Sequence, residues 1–119
     1  MSKTEAIKLE DHSVMEIKKI SSQKKYSVQS PLFYEGQIPI VAYLIIDGGI
    51  QLIKNKKIKK TLKPGSLIGL SELMTNSPSK LSALVQPEST LCFLDKSTIK
   101  EIILEDCTTL AQIFKEESK

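Results

Sequence analysis

The sequence predicts a mainly β domain, an antiparallel sandwich or barrel with short helices at its two ends. Three observations predict it. Between Tyr26 and Leu94, short apolar segments alternate with turn signals at close intervals. The segment Ala42–Ile46 is apolar without a break, as expected of a strand covered on both faces. On either side of this region the apolar spacing is helical. The 119 residues fit one domain, 1–119, long enough to bury a core; chains below about 40 residues usually need disulfides or metals.

Taken in order, residues 1–8 are polar and are expected as a disordered tail. Ser13–Ile20 carries Val14, Ile17 and Ile20 near one helical face, and Ser13 with Glu16 has capping-box spacing, so a short amphipathic helix is predicted. Strands follow. Leu32–Tyr34 precedes Gly36, and Val41–Ile46 precedes Gly48-Gly49. Asn55 divides Ile50–Ile53 from Ile58–Leu62. Pro64-Gly65 comes next, and Asn76-Ser77-Pro78 precedes Leu81–Val85. Pro87 precedes Thr90–Leu94. The predicted core takes Val41, Tyr43, Ile45, Leu52, Leu67, Leu84, Val85, Leu91 and Phe93. After Asp95 the period is helical again. Ser97 is the expected cap of a helix bearing Ile99, Ile102 and Ile103, and Thr108–Lys115 reads as a second. No internal repeat or low-complexity linker interrupts the chain.

Composition narrows the chemistry. All 17 basic residues are Lys, and the net charge is +3. Lys is a point charge without the rigid fork of Arg, so bidentate phosphate recognition is excluded. Cys92 and Cys107 match no metal or redox spacing, and Cys92 in Leu91–Leu94 reads as a buried free thiol, consistent with a reducing, cytoplasmic setting. No apolar signal region follows Met1, and the longest apolar run, Ile40–Ile46, is too short to span a bilayer. With His12 as the single histidine, neither a catalytic triad nor a cluster of metal-binding histidines can be assembled. Neither an enzyme, a metal nor a cofactor is expected.

The order of these segments resembles the cyclic-nucleotide-binding domain family. Leu32–Gly36 (LFYEG) is similar to the family's first strand and turn. Tyr43–Leu52 (YLIIDGGIQL) resembles its strand leading into a glycine, here Gly48. Leu62–Gly69 (LKPGSLIG) resembles its L-x-x-G-x-x-x-G stretch through Gly65 and Gly69, and Ser82–Leu94 its next two strands. The resemblance covers about residues 9–114. It implies an antiparallel β-jelly roll, as cupins also have, with short flanking helices.

In that family a phosphate-binding cassette closes the pocket. Gly-Glu begins a short helix whose Glu holds the ribose, and an Arg about ten residues on holds the cyclic phosphate. Here Gly69 matches the Gly, Leu70 stands at the Glu position, and Leu81 stands where Arg precedes a small-Ala pair, Ser82-Ala83. The resemblance therefore implies a pocket segment of Gly69, Leu70, Ser71, Glu72, Lys80, Leu81, Ser82 and Ala83 that has lost both charged contacts. Glu72 is two positions past the family's Glu, a rotation of about 200° on a helix, so it replaces that contact only if the helix start shifts. Lys80 neighbours the missing Arg, and adjacent residues of an extended segment face opposite sides. Leu70, Met74, Leu81 and Leu84 are expected to fill the cavity, the alternative being a dry pocket for an apolar or different cyclic ligand.

Lys54, Lys56, Lys57, Lys59 and Lys60 make a basic hairpin, read first as a solvated face and second as a surface for an acidic protein, nucleic acid or anionic lipid. The functional expectation is a non-catalytic regulatory or protein-interaction module that does not bind cyclic AMP or cyclic GMP in the family manner. Its partner is expected to be another protein or a further domain of a larger signalling protein. The alternative is a sensor of a cyclic nucleotide or dinucleotide with an altered pocket. In the family's transcription regulators, a dimer helix and helix-turn-helix would follow residue 114, so no DNA-binding element is expected in this chain.

Overall fold

A computed structural model describes residues 6–105 and 108–118. Its strands form two antiparallel sheets packed face to face, with helices on the outer side of one. The element order is β1 (Ala6–Lys8), α1 (Asp11–Ile20), β2 (Ser22–Tyr26), β3 (Ser30–Phe33), β4 (Ala42–Asp47), β5 (Ile50–Lys54), β6 (Lys57–Leu62), β7 (Ser66–Ile68), α2 (Leu70–Thr75), β8 (Ser82–Val85), β9 (Ser89–Leu94), α3 (Lys96–Glu105) and α4 (Thr109–Glu117). One sheet runs β1-β7-β4-β9-β2 and the other β3-β8-β5-β6. This is the jelly roll the sequence predicts.

β4 explains the two-layered core. Ala42 and Leu44 turn outward to the helices, joining Ile17, Leu67, Leu70, Leu73, Cys92, Leu94, Ile99, Leu110 and Phe114. Tyr43 and Ile45 turn inward between the sheets, joining Phe33, Ile50, Leu52, Leu62, Ile68, Leu81, Ala83, Val85 and Leu91. Alternate strand residues face opposite sides, so an unbroken apolar strand serves both layers. Each fully buried Leu or Ile contributes about 1.5–3 kcal/mol. Tyr43 meets Phe93 edge to face at 5.5 Å between ring centroids.

The β4–β5 connection depends on Gly48, at φ +82°. A Cβ there would stand 2.1 Å from Ser89 Oγ. The Ser89 hydroxyl, fully buried, accepts a hydrogen bond from the Gly49 N–H at 3.0 Å. The β5–β6 hairpin closes on Asn55 (φ 54°) and Lys56 (φ 65°), the paired left-handed residues of a two-residue turn.

Several expectations are corrected. Residues 6–8 of the expected tail form β1, paired with β7 through Ala6↔Ile68 and Lys8↔Ser66; residues 1–5 lie outside the described residues. Ser13 does not cap α1. Glu10 holds the cap position without a side-chain bond, and Ser13 is buried one turn inside with its hydroxyl unpartnered among the described residues. Asp95, not Ser97, caps α3: its carboxylate accepts the Thr98 N–H at 2.8 Å. That hydrogen bond holds the Asp95 carboxyl below its ordinary value. Thr108 caps α4 by accepting the Ala111 N–H. Leu84 leaves the core, because Ala83 and Val85 take the inward positions of β8. Val41 and Phe93 pack half-buried against the inner core. Cys92 is a buried free thiol, and Cys107 lies outside the described residues.

Candidate functional site

The segment from Gly69 to Ala83 runs from the end of β7 through α2 and a loop into β8. Gly69 sits at φ +81° before the helix, a left-handed conformation that L side chains rarely adopt. α2 is short. It ends at Asn76, also left-handed at φ 56°, whose N–H donates to the Glu72 carbonyl, as does that of Ser77 at 2.9 Å. Thr75 Oγ1 donates to the Ser71 carbonyl at 2.7 Å and contacts Ser77 Oγ at 2.8 Å.

The loop that follows is tied to residues 34–37. Ser79 is buried; its N–H donates to the Gln37 carbonyl and its own carbonyl accepts the Gly36 N–H, both at 2.8 Å. Its hydroxyl donates to the Leu81 carbonyl at 2.6 Å. Ser82 Oγ accepts the Glu35 N–H at 2.9 Å, and Gln37 Oε1 accepts the Tyr34 N–H at 2.7 Å. Sequence reasoning missed Ser79 and Gln37. Their only signal is polarity beside turns, since the bonds that join Ser79 to Gly36 and Gln37 span a distance in sequence that leaves no trace in local spacing.

The expected site residues divide between the two core layers. Leu70 is 1% exposed and packs outward among the helices. Leu81 is 8% exposed and shares the inward face of Ala83 and Val85, in the cluster of Phe33 and Tyr43, whose rings lie 6.1 Å apart. Met74 packs half-buried against the outer core. Leu84 joins neither layer, because Ala83 and Val85 hold the inward positions of β8. Glu72 is half-buried and Lys80 exposed, and neither ion-pairs with the other or with another described residue. Around Tyr43, burial pushes the phenol's pKa up, with the Tyr26 charge adding to it.

The lysines of the basic hairpin lie at the surface. Lys56, Lys57, Lys59 and Lys60 are exposed, and Lys54 is half-buried with Nζ 3.7 Å from the Glu35 carboxylate. β6 is an edge strand of its sheet. No helix among the described residues is long and apolar enough to cross a membrane.

Comparison with known proteins places this geometry. The model of the family described as "Cyclic nucleotide-binding domain" matches residues 23–106. Among solved structures, one reported for a cyclic-GMP-dependent signalling pathway in bacterial phytopathogenesis superposes with a TM-score of 0.79 at 17% identity, covering 93% of this chain and 91% of that one. The catabolite activator protein of Thermus thermophilus gives 0.73 at 20% identity, over 91% of this chain and 52% of that one. The regulatory subunit of a cAMP-independent protein kinase A from Trypanosoma brucei gives 0.63 at 22% identity, over 77% of this chain and 34% of that one. This chain thus spans about half of the activator's length.

Proposed function

Since the chain belongs to the cyclic nucleotide-binding domain family, we propose that it is a non-catalytic regulatory or protein-interaction module that does not hold cyclic AMP or cyclic GMP in the family's manner. The observation that carries this reading is the burial of Leu70 and Leu81 in two separate layers of the core. Where the family has a ribose-binding Glu and a phosphate-binding Arg, two leucines support the fold instead. A cyclic phosphate carries a full charge that must leave water on binding. A hydrogen bond to a charged group is worth about 1.5–3 kcal/mol, so losing the paired bonds of an Arg costs on the order of 3–6 kcal/mol. At about 1.4 kcal/mol per tenfold, a micromolar site becomes millimolar or weaker.

Other features agree. Ser79 and Ser82 are engaged with backbone groups of the 34–37 turn and the loop itself, and Lys80 points to no described carboxylate. The trypanosomal neighbour, described as belonging to a cAMP-independent kinase, supports the view that this fold can regulate without that ligand. The partner is another protein or a further domain of a larger signalling protein, in a cytoplasmic setting that suits the free thiol of Cys92. Titration calorimetry with cyclic AMP and cyclic GMP at up to roughly 500 μM tests the reading, since a micromolar site would saturate there. Flat titrations are expected. Saturable one-to-one binding, lost in Lys80→Ala and Glu72→Ala, would replace it with an altered-pocket sensor.

A further inference from the structure

Along one rim of the sandwich, β1 and β7 of the first sheet lie across from β6 of the second. Between them opens a cleft of about 270 Å³ lined by Ala6, Lys8, Lys60, Thr61, Lys63 and Ser66, with Leu62 at its floor. Two of its polar residues hold positions that pattern alone would assign to the interior. Lys60 pairs with Leu52 and lies two residues from Leu62; both are inward-facing core residues, and cross-strand partners share a face. Ser66 pairs with Lys8 and lies two residues from the inward Ile68. At this open edge the inward face of the sheets therefore ends in an exposed lysine and a hydroxyl rather than in apolar side chains.

The cleft's electrostatics are one-sided. Lys8, Lys60 and Lys63 bring three positive charges, no carboxylate lines the space, and none of the three forms an ion pair with a described residue. Lys8 Nζ donates to the Pro64 carbonyl, which holds it against the β6–β7 turn. Ser66 is 7% exposed, yet its hydroxyl makes no hydrogen bond to any described residue. The Ser66 hydroxyl opens onto the cleft, where a ligand oxygen would replace solvent beside three ammonium groups that have no carboxylate partner among the described residues.

We propose that this cleft is a binding site for a small, multiply charged phosphate compound. Its anionic oxygens would take the Ser66 hydroxyl and the Lys8, Lys60 and Lys63 ammonium groups. Lysines suit such a ligand as movable point charges where no Arg is present. The site is separate from the Gly69–Ala83 segment, and the cyclic-nucleotide titrations above do not bear on it.

Inorganic pyrophosphate is the probe, titrated into the whole chain and followed by calorimetry and amide chemical shifts at about 50 mM salt, where screening is modest. Saturable one-to-one binding is expected, with shifts centred on Lys8 and Lys60–Ser66. Lys60→Gln and Ser66→Ala each weaken it about tenfold, the effect of one hydrogen bond to a charged group. Ser66→Thr, which keeps the hydroxyl, retains binding, and this separates ligand contact from packing. Lys56→Gln with Lys57→Gln removes more charge at the hairpin tip and leaves the affinity within about threefold, as exposed charges outside the cleft should. Absence of saturation, or an equal loss in the tip variant and Lys60→Gln, would overturn the proposal.

Discussion

Leu70 and Leu81 stand on opposite sides of the five-stranded sheet, and this makes a quantitative prediction about their energetic independence. Leu70→Ala removes a side chain 1% exposed among Ile17, Leu44, Leu73 and Phe114. Leu81→Ala removes one 8% exposed among Phe33, Tyr43 and Ala83. Burial plus cavity terms put each loss at about 2–5 kcal/mol, with Leu81 toward the lower end because it keeps some contact with water. Residues that share a cavity couple by about 0.5–3 kcal/mol, whereas independent sites add to within about 0.5 kcal/mol. The sheet between the layers places this pair in the second class. Urea unfolding of the wild type, both single variants and the double variant closes the cycle. The combined loss is a large part of a typical domain stability of about 5–15 kcal/mol, so all four proteins are measured in the same stabilising osmolyte if the double variant unfolds in buffer. A coupling energy above about 1 kcal/mol would show that the two leucines fill one cavity. The argument that they have been absorbed into separate parts of the core would then fail.

Other expectations follow from single features. Gly48→Ala forces a Cβ onto Ser89 and strains a φ of +82°, so it destabilises by more than about 1 kcal/mol, whereas Gly36→Ala meets no atom within 4 Å and pays backbone strain alone; thermal unfolding separates the two. Ser89→Ala leaves the buried Gly49 N–H without its acceptor and costs about 1–3 kcal/mol in urea unfolding. Replacing Lys56, Lys57 and Lys59 together with Gln changes stability by less than about 1 kcal/mol per site, because the charges are exposed and Lys57 faces Lys54 across the hairpin. Asp95 has a folded pKa below its ordinary 3.8, so its cap stabilises the protein above that pH and the benefit is lost as pH falls through the folded value. An acid titration of Asp95→Ala should therefore lack that component of the wild-type loss; an identical acid limb in both would remove Asp95 as the cap.

Much of this fold was legible because burial leaves a periodic trace. The unbroken apolar segment Ala42–Ile46 reads directly as a strand between two layers, and Gly48, Gly65 and Gly69 mark turns that need positive φ. What escaped notice carries no such trace. β2 is SQKKY, exposed along most of its length, and is a strand because β9 offers it a hydrogen-bonding edge. β1 has three residues, too few for a pattern, and is held by β7. The exchange of Leu84 for Ala83 in the core follows from register, which a run of apolar residues does not disclose. In the candidate site, Leu70 and Leu81 are legible as apolar side chains bound for the core. The serines that anchor the loop, and the place of Lys60 and Ser66 at the open rim, appear only once strands are paired.

The pairing of distant strands also governs how this chain reaches its structure during synthesis. The hairpin of β5 and β6 closes between residues 50 and 62 and can form as soon as it emerges. The larger sheet cannot. β1 waits for β7, joining Ala6 to Ile68, and β2 waits for β9, joining Ser22 to Phe93. Nearly the whole domain must leave the ribosome before β2 has a partner, so the nascent chain carries unpaired strand edges for most of its translation. Topologies dominated by such long-range contacts fold slowly and expose themselves to mispairing. The lysines of β2 and β6 put like charges on both edge strands, which disfavours pairing with a second copy of the same edge.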